Sequence, residues 1–430
     1  MKLRVLGLFY IIASTLCACS IKPSINQEPS IILPTTEIEP GQHSRTDGSD
    51  IVEDTKGPDK DESNIIQTLD AGDKVLWSYL SLDDSKSIVF SPYSIRACIG
   101  TLYNSMSDSL QNDVYNVLNI TQTELNAMQN VNSIERSNVL TVNNKIYINK
   151  TFESIANKNC LNNNIEFAVM SNDTRKEINK EIENNTNGKI KNLIPSGTLS
   201  NFTSMIAADS IYFNDSWKNP LYYDTKLDWT GYNKKTVKKD GFTGAINVDN
   251  IQEPTPDIDV TSIDYKTSGL SFVLFSKSEN ADENVRVVDF INNLSNAELH
   301  ELCKNNKNIS TEYDNADFVI PNFEIESDVS TIPEALISAG LPDLFNGEKQ
   351  PFEKLNIPNL ALSGILHKAY IKVDKYGTEA AAATMTEMET TALPEEAQNT
   401  KHIIADEPFA FAIFDKINDQ IIFIGSVTAL

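Results

Sequence analysis

Residues 376–394 read YGTEAAAATMTEMETTALP, and no other stretch limits the fold as tightly. Its four consecutive alanines, Ala380–Ala383, are the best helix formers available. A glycine precedes them, a threonine-rich run follows, and Pro394 closes the segment. Parity divides the residues into two sets. Thr378, Ala380, Ala382, Thr384, Thr386, Met388 and Thr390 carry no charge and, apart from Met388, no bulk. Glu379, Ala381, Ala383, Met385, Glu387, Glu389 and Thr391 carry every charge in the run. An extended chain alternates side chains between two faces, so the segment fits a strand with one dry and one wet side. In a helix, at about 100° per residue, Glu387 and Glu389 would point roughly 160° apart. The alanines favour a helix and the parity favours a strand. Taken alone, the segment leaves both readings standing.

The chain of 430 residues suits one large domain with appendages, and 40% apolar residues can bury a sizeable core. A formal charge of −24 argues against nucleic acid as a partner, because phosphates are held by Lys and Arg. Lys2 and Arg4 precede the apolar run Val5–Ile12, and Leu16-Cys17-Ala18-Cys19 follows, which is the layout of a signal peptide over residues 1–18. The apolar run is too short to span a membrane. Leu-x-Ala-Cys resembles the bacterial lipobox, which implies cleavage before Cys19 and lipidation of that residue. Residues 19–63 are polar and acidic with scattered prolines, the composition of a disordered tether. Lipid anchor, tether and domain 64–430 together predict a protein held at the bacterial cell envelope, facing outward, with the membrane as one partner. Cys98, Cys160 and Cys303 have no metal-ligand spacing and read as buried thiols.

From about Ser63 the pattern is that of a folded domain. Asn64–Leu82 reads as an amphipathic helix, and Ser91-Pro92 starts another with Ser91 as N-cap. Glu177–Asn187 reads as a helix ended by Gly188. Val139–Ile148, Ser204–Phe213, Asp317–Phe323, Tyr370–Val373, Phe409–Phe414 and Ile421–Val427 read as strands. Helices early and strands late predict an α+β domain with antiparallel sheets. Gly-x-Ser-x-Gly, His-Glu-x-x-His, a phosphate-binding glycine loop and Cys-x-x-Cys are all missing. The four histidines, His43, His300, His367 and His402, are scattered, so an enzyme is not expected. No cofactor and no metal are expected either.

Six segments, in order, resemble the serpin family of serine protease inhibitors. They are Phe90-Ser91-Pro92-Tyr93-Ser94-Ile95, Ile178-Asn179 with Thr186-Asn187-Gly188-Lys189-Ile190, and Ala208-Asp209-Ser210-Ile211-Tyr212-Phe213 with Trp217. Then come Leu366-His367-Lys368-Ala369, the hinge Gly377-Thr378-Glu379-Ala380-Ala381-Ala382-Ala383-Thr384, and Glu407-Pro408-Phe409 through Gly425. The resemblance covers residues 64–430 and implies the serpin fold: helices, three mainly antiparallel sheets and an exposed reactive-centre loop at about 377–400. It also decides the opening question, because in serpins this loop later enters the main sheet as a strand. A strand entering between two others must carry neither bulk nor charge on its buried face.

The resemblance further implies an irreversible suicide-substrate inhibitor of serine or cysteine proteases, working as a monomer, with the target protease as partner. Counting fourteen residues from Gly377 gives the reactive bond Thr391–Ala392, and a small residue there suits an elastase-like enzyme. Met388, Glu389 and Leu393 remain alternative cleavage points. Ser91, Ser94, Asp209 and His367 are assigned to the shutter beneath the opening sheet, with Asp209 in the place of the usual asparagine. Lys375 and Asn322 replace a charge pair expected near the hinge, and Glu181 replaces a tryptophan. Residues 221–260 match the family poorly. The alternative is a serpin-fold surface protein that binds or supports without inhibiting.

Overall fold

The computed structural model describes residues 72–430, apart from 82–84, 122–124, 126–138, 220, 222, 305–312 and 380–398. Residues 1–18, expected as a signal peptide, Cys19, the expected tether 19–63 with His43, and residues Ala380–Thr384, Thr391 and Ala392 of the expected reactive-centre loop lie outside the described residues. Two helices flank the site, α2 (Pro92–Thr101) and α3 (Asn172–Asn185), and two more, α1 (Gly72–Leu80) and α4 (Asn296–Lys304), meet in a buried ionic cluster. α2 begins where its sequence predicts. The Ser91 hydroxyl accepts from Ser94 N–H at 2.9 Å, and Pro92 fills the first turn, where its missing N–H costs nothing. Gly188, at φ +77°, turns the chain beyond α3 and donates its N–H to Glu183 O at 2.7 Å.

The described residues form three sheets, of six, four and seven strands. The main sheet contains β1 (Leu140–Asn149), β2 (Ile165–Ala168), β3 (Met205–Phe213), β4 (Asp215–Ser216), β5 (Phe323–Val329), β6 (Gly364–Asp374) and β7 (Gly377–Thr378). Their order is β2-β1-β3-β6-β7-β4, with β5 on the other edge of β6. β3 reads MIAADSIYF and is buried at every position, as a central strand covered on both faces must be. β5 reads FEIESDV and alternates buried with exposed, as a half-covered strand does.

Most pairings are antiparallel, but β3 runs parallel to β6, β2 to β1, and Thr400–Ile404 to Asn315–Pro321. Strands also appear earlier than expected. The poorly matching stretch 221–260 holds Tyr223–Thr230, Thr236–Ile246 and Ile251–Thr255. The single strand expected over Asp317–Phe323 is two: Pro321 cannot continue a ladder, and the chain changes sheet at Asn322. Cys98 and Cys303 are buried, whereas Cys160 is only half-buried and donates to Lys354 O at 3.4 Å.

A buried ionic cluster fastens α1 to this frame. Asp73 is 2% exposed and meets Arg96 Nη1 and His300 Nε2, each at 3.0 Å. The other imidazole nitrogen, His300 Nδ1, meets Asp419 at 2.8 Å, and Lys304 reaches Asp419 at 2.8 Å. Both ring nitrogens face carboxylates, so only the doubly protonated ring donates to both. Burial works against that charge, but the bonds to Asp419 and Asp73 outweigh it and push the pKa up to about 9. A raised histidine pKa stabilises the fold below the ordinary value of 6.5 and loses that contribution as pH climbs through about 9. The unfolding free energy is expected to fall by roughly 3 kcal/mol across that window, following about 1.4 kcal/mol per unit. In His300→Gln that slope should flatten. Denaturant titrations of both proteins from pH 6 to 10 check this, and equal slopes would contradict the ionic assignment.

Candidate functional site

The seam between β3 and β6 runs through the middle of the main sheet. From Gly364–Ile206 to Tyr370–Tyr212 the two strands pair directly and in parallel. Asp209 and His367 are register partners on this seam, and both side chains are fully buried. His367 Nδ1 lies 2.7 Å from Asp209 Oδ2, while Ser94 Oγ donates to Asp209 Oδ1. On the far side of the ring, Ser91 N–H donates to His367 Nε2 at 3.2 Å. An accepting Nε2 carries no proton, so the ring is neutral and its Nδ1–H points at the carboxylate. Asn144, on β1, completes the group. Its Oδ1 lies 3.2 Å from Ser94 Oγ, whose single proton is directed at Asp209, and its Nδ2 donates to Ser94 O at 3.3 Å.

The structure thus brings Ser91, Ser94, Asp209 and His367 together at the N-terminus of α2. Serine, histidine and aspartate in one cluster invite comparison with a hydrolase triad. The wiring differs, because the imidazole faces a backbone N–H and Ser94 turns its hydroxyl to the acid. With all four side chains sealed from solvent, a substrate has no route to them.

Above Tyr370 the seam is open, and the start of the hinge already occupies it. β7 pairs antiparallel with β6 on one side, through Val373–Thr378 and Asp374–Gly377, and with β4 on the other, through Gly377–Ser216 and Thr378–Asp215. Thr378 is fully buried, and its hydroxyl lies 2.5 Å from Tyr265 OH. Tyr265 stacks on Trp217 at 4.8 Å between ring centroids, and Trp217 Nε1 donates to Asp374 O at 2.9 Å. Glu379 donates its N–H to Lys372 O at 2.7 Å, and its carboxylate pairs with Lys189 from the turn after α3. Burial lifts that carboxyl above the usual range although Lys189 pulls it down. Gly377 is required here. Its φ is +149°, and a Cβ would collide with the backbone oxygen of Asp215.

Of the hinge residues named from sequence, Gly377, Thr378 and Glu379 are therefore seated in the sheet, and Ala380–Thr384 lie outside the described residues. Asn144, Tyr265, Asp215 and Lys189 were not assigned a role. Lys189 lies inside a quoted motif, but Tyr265 and Asp215 reach the hinge only through tertiary folding. The corner expected to lack a charge pair has a different one: Lys375 Nζ meets Asp224 Oδ2 at 2.6 Å. Glu181, in the place of a tryptophan, pairs with Lys145 on β1 at 3.0 Å. It also borders a cleft of about 540 Å³ between α3, β1 and α2.

Gly377→Ala should drive the hinge out of the slot. Amide hydrogen exchange over residues 372–379 should then accelerate at least ~10-fold while Ala207–Ile211 keeps its protection. Unchanged exchange over 372–379 would contradict the pairing described.

Residues 74–430 match the model of the family described as Serpin (serine protease inhibitor). An uncharacterized serpin-like protein of Methanosarcina acetivorans is 29% identical over 373 residues, covering 82% of this chain and 83% of that protein. The leukocyte elastase inhibitor of Homo sapiens is 26% identical over 375 residues, covering 81% of this chain and 95% of the relative. Among solved structures, the thermophilic serpin tengpin in its native state superposes with a TM-score of 0.66 at 23% identity, over 87% of this chain and 96% of that one. The fold, the closed seam, the seated hinge and the family match agree: this chain belongs to the serpin family.

Proposed function

We propose that this protein is an irreversible suicide-substrate inhibitor of serine proteases, with an elastase-like enzyme as its target. The half-open seam carries the reading. Two residues of the hinge are already bonded on both sides, and the seven residue pairs beneath them form a parallel seam. Parallel pairing is slightly the weaker kind. An antiparallel strand entering there replaces one parallel seam by two antiparallel ones.

The register of the entry is fixed by β7. Each step forward along the loop meets one step back along both neighbours, which brings Thr384 opposite Asp209 and His367 together. In that register Thr378, Ala380, Ala382 and Thr384, which carry neither bulk nor charge, face the buried side. The fourteen residues Thr378–Thr391 span roughly 46 Å as a strand at about 3.3 Å each.

In this mechanism the target's serine attacks the carbonyl of Thr391, the amine of Ala392 leaves, and an acyl ester joins protease to loop. Insertion then drags the protease along the sheet. New ladder bonds at ~1 kcal/mol each, with fresh packing, supply on the order of 10 kcal/mol. An oxyanion hole depends on close geometry, so a fraction of that energy suffices to stall deacylation. The leukocyte elastase inhibitor among the relatives supports an elastase-like target. The chain's contribution is bait and stored strain, with the nucleophile supplied by the target.

Incubation with an elastase-like protease should give a complex that survives SDS, with Thr391 as the new chain end by mass spectrometry. Thr378→Arg should abolish the complex and leave simple cleavage, because an unpaired charge at the buried Thr378 position costs several kcal/mol. Cleavage without complex by the unaltered protein would favour the non-inhibitory surface module instead.

We also propose that the domain is displayed at the outer side of a bacterial membrane. Leu16-Cys17-Ala18-Cys19 and the acidic stretch that follows support a lipid anchor and tether. Cys19→Ser should shift the protein from the membrane fraction to the soluble one, and retention in membranes would contradict the anchor.

A further inference from the structure

One stretch of the main sheet's edge is left uncovered by any described strand. β1 pairs with β3 from Leu140 to Ile148, whereas β2 covers its other side only at Ile146–Asn149. Ile146 donates its N–H to Asn164 O on the β2 side. Asn149 donates instead to Ser204 O on the β3 side, and Val139 O accepts from Asn214 there. Backbone groups alternate in direction along a strand, so Val142 and Asn144 turn theirs to the uncovered side. Among the described residues, none of those N–H and C=O groups has a hydrogen-bond partner. We propose that this edge is a strand-addition site, where an extended peptide of another protein pairs with Val142 and Asn144. Such a site stands whether or not the reactive-centre loop enters the seam.

Val142–Lys145 line the cleft of about 540 Å³, a volume within the range of ligand clefts. Asn144 turns its side chain toward α2 and bonds Ser94 O, while Asn143 and Lys145 turn toward α3 and bond Asn185 and Glu181. The two helices therefore stand on opposite faces of β1, and the slot between them follows the plane of the sheet. A strand added along Val142–Lys145 would occupy about 13 Å, four residues at roughly 3.3 Å each. The walls set the chemistry of the guest. On the α2 side stand Ala97, Gly100 and Thr101, whose hydroxyl is committed to Ala97 O, so a small side chain packs there. On the α3 side the Lys145–Glu181 pair leaves no net charge, and Asn185 keeps its amide oxygen unpartnered among the described residues. Tyr147, 4% exposed, also lines the cleft, and its hydroxyl makes no hydrogen bond among the described residues. The guest that fits is extended and uncharged, alternating small residues with hydroxyl- or amide-bearing ones. Edge strands are usually blunted by proline, a bulge or charge, and Val142-Asn143-Asn144 carries none of these. The flanking helices restrict access to a single chain.

The test uses the full chain and a capped hexapeptide of alternating alanine and threonine. The peptide is supplied at about 10 mM, some ten times the roughly millimolar Kd that four backbone hydrogen bonds support. Amide exchange at Val142 and Asn144, read by NMR, should slow about tenfold. The same peptide with alternate amides N-methylated cannot pair as a strand and should slow neither. Val142→Pro removes one edge donor at a place where the N–H faces outward, which an edge strand tolerates. In that variant the peptide should change exchange at Asn144 by less than twofold, while Ala207–Ile211 keeps its protection. Exchange at both amides within twofold of the peptide-free rate, or equal slowing by the N-methylated peptide, would overturn strand addition. Slowing by the neutral trisaccharide of N-acetylglucosamine and not by the peptide would assign the cleft's amides to a sugar and overturn it as well.

Discussion

Everything in this fold turns on one parallel seam. β3 and β6 lie side by side because nothing yet stands between them, and a strand antiparallel to both would bond each better. On the inhibitor reading the sheet is therefore short of its best arrangement. On that reading topology keeps it there, since the segment that would enter is tied into the chain at both ends. Thr378 ends β7 within the sheet, and the chain resumes a described strand only at Thr400, in a different sheet. Cutting between those points releases one end.

The site follows from that constraint. At the open end, Gly377 and Thr378 start the new strand, with the hydroxyl of Thr378 bonded to Tyr265 and Glu379 paired to Lys189. At the closed end, Asp209 and His367 face each other across the line of entry, footed on Ser94 and Ser91. A polar cluster inside a two-sided apolar strand is costly unless every member is satisfied. Here each group has its partner while the sheet is shut, so the cluster defines the shut state sharply.

Much of this was legible in the sequence, for physical reasons. The parity of Thr378–Thr391 reads as a strand with one dry face, and Thr378, the first residue of its uncharged set, is seated and buried in the main sheet. Ser91-Pro92 marks a helix start whose N-cap hydroxyl is observed, whereas the strand Phe323–Val329 was missed because the expected strand stopped at Phe323. Local signals ran out where contacts join distant segments. Tyr265 has no pattern that ties it to Thr378, and Asp224 meets Lys375 from 151 residues away. The parallel pairing of β3 with β6 likewise leaves no trace in either strand, because a strand's residues report its burial and not its direction. Poor resemblance over 221–260 hid three strands whose exposed faces need only be polar.

The central claim is that the uncut chain is not in its most stable fold. The most direct measurement is the thermal unfolding of the protein before and after a single cut between residues 380 and 398, with both fragments retained. The account predicts that the cut form unfolds roughly 10 °C or more above the uncut one, as about 10 kcal/mol of added ladder and packing requires. Equal unfolding temperatures would mean that no strand enters the seam, and the inhibitor would have no spring.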